Sequence, residues 1–298
     1  MTLQLSVIVA SINGQSYLAE CLKALHRQTG NVKTEIIVAD CVGASVIGFI
    51  STNYPSVQLL SFSDRQTVPS LRAAAILAAQ GEIIAITEDH CIPPLNWCES
   101  VYRAHTDHAA VAIGGAVDNG ATQHILDWAV FFCEYSNFIS PVPHGVVYDL
   151  PGPNVSYKRD ALMAIPDLIK AGFWETFVHQ QLESTGQPLW SEPNIPMIHK
   201  KHFTLQEFLT ERFHYSRAFA GKRNDSMELR HRLLYLIFSL LLPPLLLLRL
   251  SRRVLGRKRH LREFCLSLPY LLLFMMTWAI GESVGYAIGA GDSERYLA

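Results

Sequence analysis

An apolar run, Ile83-Ile84-Ala85-Ile86-Thr87, ends abruptly in Glu88-Asp89-His90. Two carboxylates followed by an imidazole are metal-ligating types, and the imidazole suits transition-series ions better than magnesium. Adjacent acids cannot lie inside a buried strand, so the triplet belongs at the exposed end of one. That position matters, because open α/β sheets bind ligands at the carboxyl ends of their strands. Comparable polar clusters close other apolar runs: Ser11 to Asn13, Asp40, and Asp64 with Arg65. One Asp or Asn after a strand is ordinarily a turn residue, but four clusters in the same frame predict a single functional edge. The competing reading of Glu88 and His90 is an acid and a histidine that merely cap a loop.

The elements that would position these groups follow from periodicity. Residues 3–10 predict a strand, Leu18, Cys21, Leu22 and Leu25 recur at helical spacing, and 35–39 and 57–61 predict two more strands. Residues 69–80, with Pro69 near the start and Gly81 behind, predict a helix leading into the strand that carries Glu88. Strand, helix, strand, strand, helix, strand predicts an α/β fold with a doubly wound, mostly parallel sheet. Trp97, Val101 and Tyr102 suggest a short helix, and 111–117 a strand whose Gly114-Gly115 pair permits close backbone approach. Trp128, Phe131, Phe132, Tyr135 and Phe138 make an aromatic helical stripe within 123–140, read as core packing in preference to a sugar or lipid platform. Residues 144–154 form a loop rich in Pro and Gly. Thr204-Leu-Gln-Glu207 fits a capping box for a helix ending near Ala220, along which Arg212, His214 and Arg217 lie.

The chain has 298 residues, 49% hydrophobic and 17% charged, and a net charge of −1 that hides two unlike parts. Residues 1–200 carry 10 Lys and Arg against 18 Asp and Glu, net −8, whereas 201–298 carry 15 against 8, net +7. The basic residues of the second part flank apolar runs, which points to anionic lipid and away from nucleic acid. Six cysteines include no CxxC pair, so neither a zinc cage nor a disulfide framework is expected, and they read as reduced thiols in a cytoplasmic protein. The start, MTLQLSVIVAS, lacks the basic n-region of a signal peptide. No P-loop, GxGxxG or GxSxG occurs, which disfavours kinase, dehydrogenase and serine hydrolase chemistry.

Two stretches of the tail are membrane candidates. Residues 233–248 are sixteen uncharged residues interrupted by Pro243-Pro244, and 264–290 is a longer apolar run holding one acid, Glu282. A spanning helix needs about 20 apolar residues, so the second qualifies and the first is short. Residues 249–262 carry seven Lys and Arg with no acid, and 222–232 carry four; both should stay cytoplasmic by the positive-inside rule. The expectation is that 233–248 bends at the prolines and re-enters or lies in the interface, with 264–290 transmembrane; two ordinary spanning helices are the alternative. The domain expectation is a catalytic body over 1–203, an amphipathic interfacial helix over 204–228 and a membrane tail over 229–298.

The stretches LSVIVASIN, EIIVAD, SLRAAAILAAQGEIIAITEDHCIPPLNW, GPNVSYKRDAL and WETFVHQQLESTG together resemble the family-2 glycosyltransferases of the GT-A fold, of the membrane-attached bacterial type. The resemblance covers residues 3–220 and implies a nucleotide-diphospho-sugar transferase sheet. It places Asp40 against the nucleotide base, Ala10, Ser11 and Asn13 beside it, and Arg72 facing the nucleotide. Glu88-Asp89-His90 falls where an Asp-x-Asp motif holds a divalent cation on the diphosphate, so all three are implied metal ligands and Glu88 and Asp89 donor contacts. Asn154 matches a Gly-x-Asn in the loop by the donor sugar. Glu175 occupies the place of the catalytic acid; its competing reading is a helix-start glutamate favoured by the dipole. Arg212, His214 and Arg217 fall where relatives carry an Arg motif on the diphosphate or acceptor side, and the absent QxxRW signature of polymerising members favours transfer of a single sugar.

The sequence departs from that pattern at Cys41, Ala73, His90 and Trp174. His90 favours Mn2+ over Mg2+. The expected function is inverting transfer of one sugar from a nucleotide-diphospho-sugar, UDP favoured over GDP, to a lipid-linked or membrane-presented acceptor at the inner membrane, with the catalytic body facing the cytoplasm. Inversion needs one base, the role implied for Glu175. The competing reading is a catalytically inactive membrane scaffold that keeps the fold. A nucleotidyltransferase is disfavoured because no Gly-rich Lys loop follows the first strand.

Overall fold

Alternate residues of the first strand, β1 (Leu5–Ser11), enter two different cores, which is the signature of a sheet covered on both faces. The computed structural model describes residues 3–224, 227–239 and 241–296. Two compact units are present, Met1–Gly120 with Phe138–Lys200 and Ala121–Asn137 with Lys201–Ala298. After β1 the first unit continues with α1 (Gln15–His26), β2 (Thr34–Asp40), α2 (Ala44–Asn53), β3 (Gln58–Ser61), α3 (Val68–Ala78) and β4 (Ile83–Glu88). Then come β5 (Cys91–Ile92), α4 (Trp97–Asp107), β6 (Ala112–Gly114) and β7 (Val117–Asn119). The chain leaves for α5 (Ile125–Tyr135) of the second unit and returns as β8 (Gly145–Val147), β9 (Val155–Lys158), α6 (Arg159–Met163), α7 (Pro166–Lys170), α8 (Glu175–Ser184), β10 (Leu189–Ser191) and β11 (Met197–His199).

Among the described residues the main sheet runs β3-β2-β1-β4-β9-β6-β10-β8, a doubly wound mixed sheet, mostly parallel. The register puts Ser11 beside Asp40, Ala10 beside Glu88 and Asp40 beside Ser61, so the polar strand ends share one edge as the sequence predicts. Leu5, Val7 and Val9 pack with Leu18, Leu22, Val46 and Trp97 from α1, α2 and α4. Ile8 and Ala10 pack with Leu71, Ile76, Phe173 and Val178 on the other face. Each fully buried aliphatic side chain stabilises this arrangement by about 1.5–3 kcal/mol.

Three local expectations are corrected. A helix, α2, stands between the second and third strands, where the sequence reading passes directly from strand to strand. Its ASVIGFISTN is rich in β-branched residues with a central Gly, so its propensity is low, and the buried Val46 and Ile50, one turn apart, anchor it with Phe49 packed beside them. The single strand expected over 111–117 is two, β6 in the main sheet and β7 in a small sheet ordered β5-β11-β7. The break falls at Gly115, where a Cβ would lie 1.8 Å from the Ile195 carbonyl oxygen, so the glycine pair does serve a close approach. The 144–154 loop contains the edge strand β8, antiparallel to β10.

The second unit holds α5, α9 (Leu205–Asn224), α10 (Leu229–Ser239), α11 (Leu242–Arg257) and α12 (Leu261–Ile288). The capping box forms: Thr204 N–H donates to Glu207 Oε2 at 2.8 Å and Glu207 N–H to Thr204 Oγ1 at 3.2 Å. Trp128, Phe131 and Phe132 of α5 are buried, and Phe132 meets Phe264 of α12 edge-on at 5.5 Å. Gly281 and Gly285, a small-xxx-small pair, let the α12 backbone approach α9; a Cβ at Gly281 would lie 2.4 Å from the Phe213 carbonyl oxygen. Helix α12 is long and apolar enough to cross a membrane. α10 and α11 together form an apolar pair bent by 67°, with Pro243 and Pro244 in the first turn of α11, where a missing N–H costs nothing. Leu233, Leu234, Ile237, Phe238, Leu272 and Met276 are exposed.

Candidate active site

The end of β4 delivers Glu88 beside a guanidinium. Arg72, on α3 and buried, sets Nη2 2.6 Å from Glu88 Oε1 and Nη1 3.1 and 3.0 Å from the two oxygens of Glu175. One cation thus joins the strand-end acid to the first residue of α8. Breaking such a pair by removing its buried cation leaves two carboxylates facing each other. Gly152 closes the other side: a Cβ there would lie 2.1 Å from Glu175 Oε1, so the 144–154 segment packs against that carboxylate.

His90 is the hub of the second half of the site. Its Nε2 lies 3.1 Å from Glu88 Oε2 and 2.8 Å from His199 Nε2. Its Nδ1 meets Asp89 Oδ1 at 2.9 Å. Burial disfavours the imidazolium, but the hydrogen bonds and charges of Asp89 and Glu88 outweigh it and raise the His90 pKa to about 9. The converse holds for Glu88: burial opposes ionisation, yet the His90 hydrogen bond and charge, with Arg72 and His199, keep its carboxyl well below the usual range. Burial, aided by the Glu88 charge, pushes the neighbouring Cys91 thiol up, which keeps the proton on sulfur.

Asp89, expected as a ligand, is held by hydrogen bonds within the protein. It is fully buried, and both oxygens are engaged: Oδ2 accepts from the Ile12 and Asn13 backbone N–H at 2.8 and 2.7 Å, and Oδ1 from Asn13 Nδ2 at 2.8 Å besides His90. It ties the end of β1 to β4 and orients the His90 ring with Nε2 toward Glu88, as an outer-shell carboxylate does for a ligating histidine. Ala10 accepts the Asp89 N–H at 3.2 Å. Asp40 is likewise buried, accepting from Ser11 Oγ at 2.7 Å and from the Val42 and Gly43 N–H groups at 3.1 and 3.0 Å. Asn154, at the end of the 144–154 segment, is buried. Its side chain accepts from Trp97 Nε1 at 3.0 Å and donates to the Ala116 and Ile195 carbonyls at 2.8 and 2.7 Å, locking three segments of the core.

Arg212, His214 and Arg217 belong to the second unit and are engaged within it. Arg212 is buried, pairs with Glu134 at 2.8 Å and lies over the Phe208 and Trp278 rings. His214 stacks on Tyr296 at 3.9 Å, and Arg217 Nε donates to the Gly289 carbonyl at 3.2 Å.

Sequence reasoning missed His199. It sits opposite Cys91 in the antiparallel pairing of β11 with β5, and Lys200 N–H donates to the His90 carbonyl at 3.0 Å, which brings the two imidazoles together. A lone histidine in a three-residue strand carries no sequence signal for this. Glu88 Oε2 and His199 Nε2 each approach His90 Nε2, one carboxylate and two imidazoles of the types that bind transition-series ions, and Glu88, His90 and Cys91 bring donor atoms within 4.8 Å of one another.

The comparisons with known proteins give the family and the fold. Residues 6–165, more than half of the chain, match the profile of glycosyl transferase family 2. The chain belongs to that family. The match ends before Glu175 and His199, so those two rest on the structure. No curated protein sequence matches the chain. Among solved structures, the family-2 chain resembles S. aureus TarS in complex with UDP-GlcNAc, with a TM-score of 0.55 and 14% identity over 67% of this chain and 59% of that one. It resembles the mannosyltransferase PcManGT from Pyrobaculum calidifontis in complex with GDP-Man and Mn2+, at 0.57 and 14% over 94% and 86%. It also resembles GalNAc-T7 with UDP, GalNAc and Mn2+, at 0.52 and 14% over 68% and 44%. At such identities the likeness establishes the fold alone, GT-A; the chain spans only 59% of the TarS chain.

Proposed function

We propose that this family-2 member is an inverting glycosyltransferase that moves a single sugar from a nucleotide-diphospho-sugar, UDP favoured over GDP, to a lipid-linked or membrane-presented acceptor. The observation that carries the reading is Arg72 gripping Glu88 and Glu175 together, because it ties the metal-ligand cluster to the candidate base through one side chain. Glu175 takes the proton of the acceptor hydroxyl as its oxygen attacks the anomeric carbon from the face opposite the leaving nucleotide. Arg72, donating to both Glu175 oxygens, holds that carboxylate in orientation. Glu88, His90 and His199 would hold a divalent cation, Mn2+ favoured over Mg2+, with Asp89 fixing the His90 ring. When bound, that ion would neutralise the departing diphosphate.

The neighbours whose structures contain Mn2+ support the cation, and those with UDP-GlcNAc and GDP-Man support the donor class. The acceptor is inferred from α12 and the exposed apolar face of the second unit, and the basic 249–262 segment supports a catalytic body on the cytoplasmic side of the inner membrane. Such an enzyme would serve assembly of envelope polysaccharide or glycolipid. The test is release of UDP or GDP from a panel of nucleotide sugars by membranes containing the protein, with Mn2+ or with EDTA. Release of one diphosphate, abolished by EDTA, is the expected result. No release from any donor would favour a scaffold that has kept the fold and lost turnover.

A further inference from the structure

A second cluster of metal-binding side chains lies elsewhere on the first unit. His108 caps the C-terminus of α4, His144 directly precedes β8, and Glu192 directly follows β10. β10 is separated from β4 by β9 and β6, so this cluster is not part of the Glu88-His90-His199 group. The His144 and His108 Nε2 atoms lie 3.3 and 3.6 Å from the same Glu192 Oε2, and the three donor atoms all fall within 4.8 Å of one another. Those separations exceed an ordinary N–H···O hydrogen bond of about 2.7–3.2 Å. They match the edges of a tetrahedron: bonds of about 2.0–2.2 Å put ligand atoms about 3.3–3.6 Å apart.

The surroundings prepare all three groups. Glu192 is buried, and its other oxygen, Oε1, is occupied by the Asn194 backbone N–H at 3.1 Å and Nδ2 at 2.8 Å, which leaves Oε2 turned to the imidazoles. The Glu192 N–H donates to the Gly114 carbonyl at 2.8 Å, anchoring its backbone to β6. One indole orients both rings: His108 stacks on Trp190 at 4.3 Å and 25°, and His144 meets it edge-on at 5.2 Å and 89°. Outer-shell contacts of this kind fix ligand orientation before an ion arrives.

We propose that His108, His144 and Glu192 form a second metal site, for Zn2+ or a transition ion of similar softness, that fastens the 144–154 segment to the sheet. Two imidazoles and one carboxylate oxygen leave the fourth tetrahedral position to water or a small ligand. Mg2+ and Ca2+ are disfavoured, since they take oxygen ligands. The ion would clamp the start of a segment whose far end, at Gly152, packs against Glu175, so occupancy would set the mobility of that flank.

The test is a Co2+ titration of the chelator-stripped full chain in detergent, carrying no histidine tag, read by d–d absorption. The wild type is compared with His90→Ala/His199→Ala, His144→Ala and the isosteric Glu192→Gln. His144 is 57% exposed, so its truncation leaves the fold intact. The expected result is a tetrahedral Co2+ spectrum that survives in His90→Ala/His199→Ala, displaced by Zn2+, with affinity at least tenfold weaker in both His144→Ala and Glu192→Gln. Unchanged affinity in those two variants, or loss of the whole signal in His90→Ala/His199→Ala, would overturn the assignment. Because the readout is binding, it stands or falls independently of sugar transfer.

Discussion

Glu175→Gln isolates proton transfer from everything else that Glu175 does. The carboxylate is 27% exposed, open enough to meet a hydroxyl, and receives two contacts from Arg72 at 3.1 and 3.0 Å. Glutamine keeps the shape and one oxygen acceptor for Arg72, while Arg72 retains its 2.6 Å contact with Glu88 and so keeps a countercharge. The loss of a part-exposed ion pair therefore costs about 1 kcal/mol or less in stability. A positioned base contributes about 10²–10⁴ in rate, which at about 1.4 kcal/mol per decade is about 3–5 kcal/mol of barrier. Expected, then, is a fall in nucleotide diphosphate release of at least a hundredfold, donor affinity within threefold of wild type by titration, and a melting temperature lowered by a few degrees at most. Turnover within threefold of wild type would refute the base role and leave Glu175 as the N-terminal acid of α8 and a partner for Arg72.

Four other outcomes are expected. His199→Ala should raise the Mn2+ concentration for half-maximal diphosphate release at least tenfold; an unchanged metal titration would remove His199 from the donor set. Asn154→Ala strands the Trp97 indole N–H and two buried carbonyls, a loss of about 2–4 kcal/mol in chemical denaturation; weaker donor binding without destabilisation would instead make it a donor contact. His105 is buried against Ser156 at 2.9 Å, and burial, with the Lys158 charge, lowers its pKa from 6.5 to about 3. The unfolded chain binds the proton more readily between those values, so this histidine's contribution to stability falls as pH drops from about 6.5 toward 3, by up to about 1.4 kcal/mol per pH unit; His105→Gln should flatten the melting-temperature slope there, and parallel slopes would contradict it. A cysteine at Arg253 in a Cys265→Ser background should be labelled by impermeant reagent only from the cytoplasmic side, whereas exterior labelling would mean that α10 and α11 carry the chain across.

Local pattern alone determined much of this protein. Continuous apolar runs define β1, β2 and β4, the acids and the histidine that end β4 mark the candidate site, Thr204 and Glu207 announce a helix start, and the apolar tail shows in composition. These are legible because each depends on residues within a few positions of one another. Tertiary structure decided which polar groups keep a free lone pair. Asp89 and Asn154 look like ligand contacts in sequence, yet burial against Asn13 and against Trp97, Ala116 and Ile195 commits their hydrogen bonds to the protein. The pairing of β11 with β5 carries His199 to His90 across 109 residues, and the meeting of α4, β8 and β10 assembles His108, His144 and Glu192. No short-range periodicity encodes such encounters, because they arise from strand order and from which face each side chain takes once the cores close.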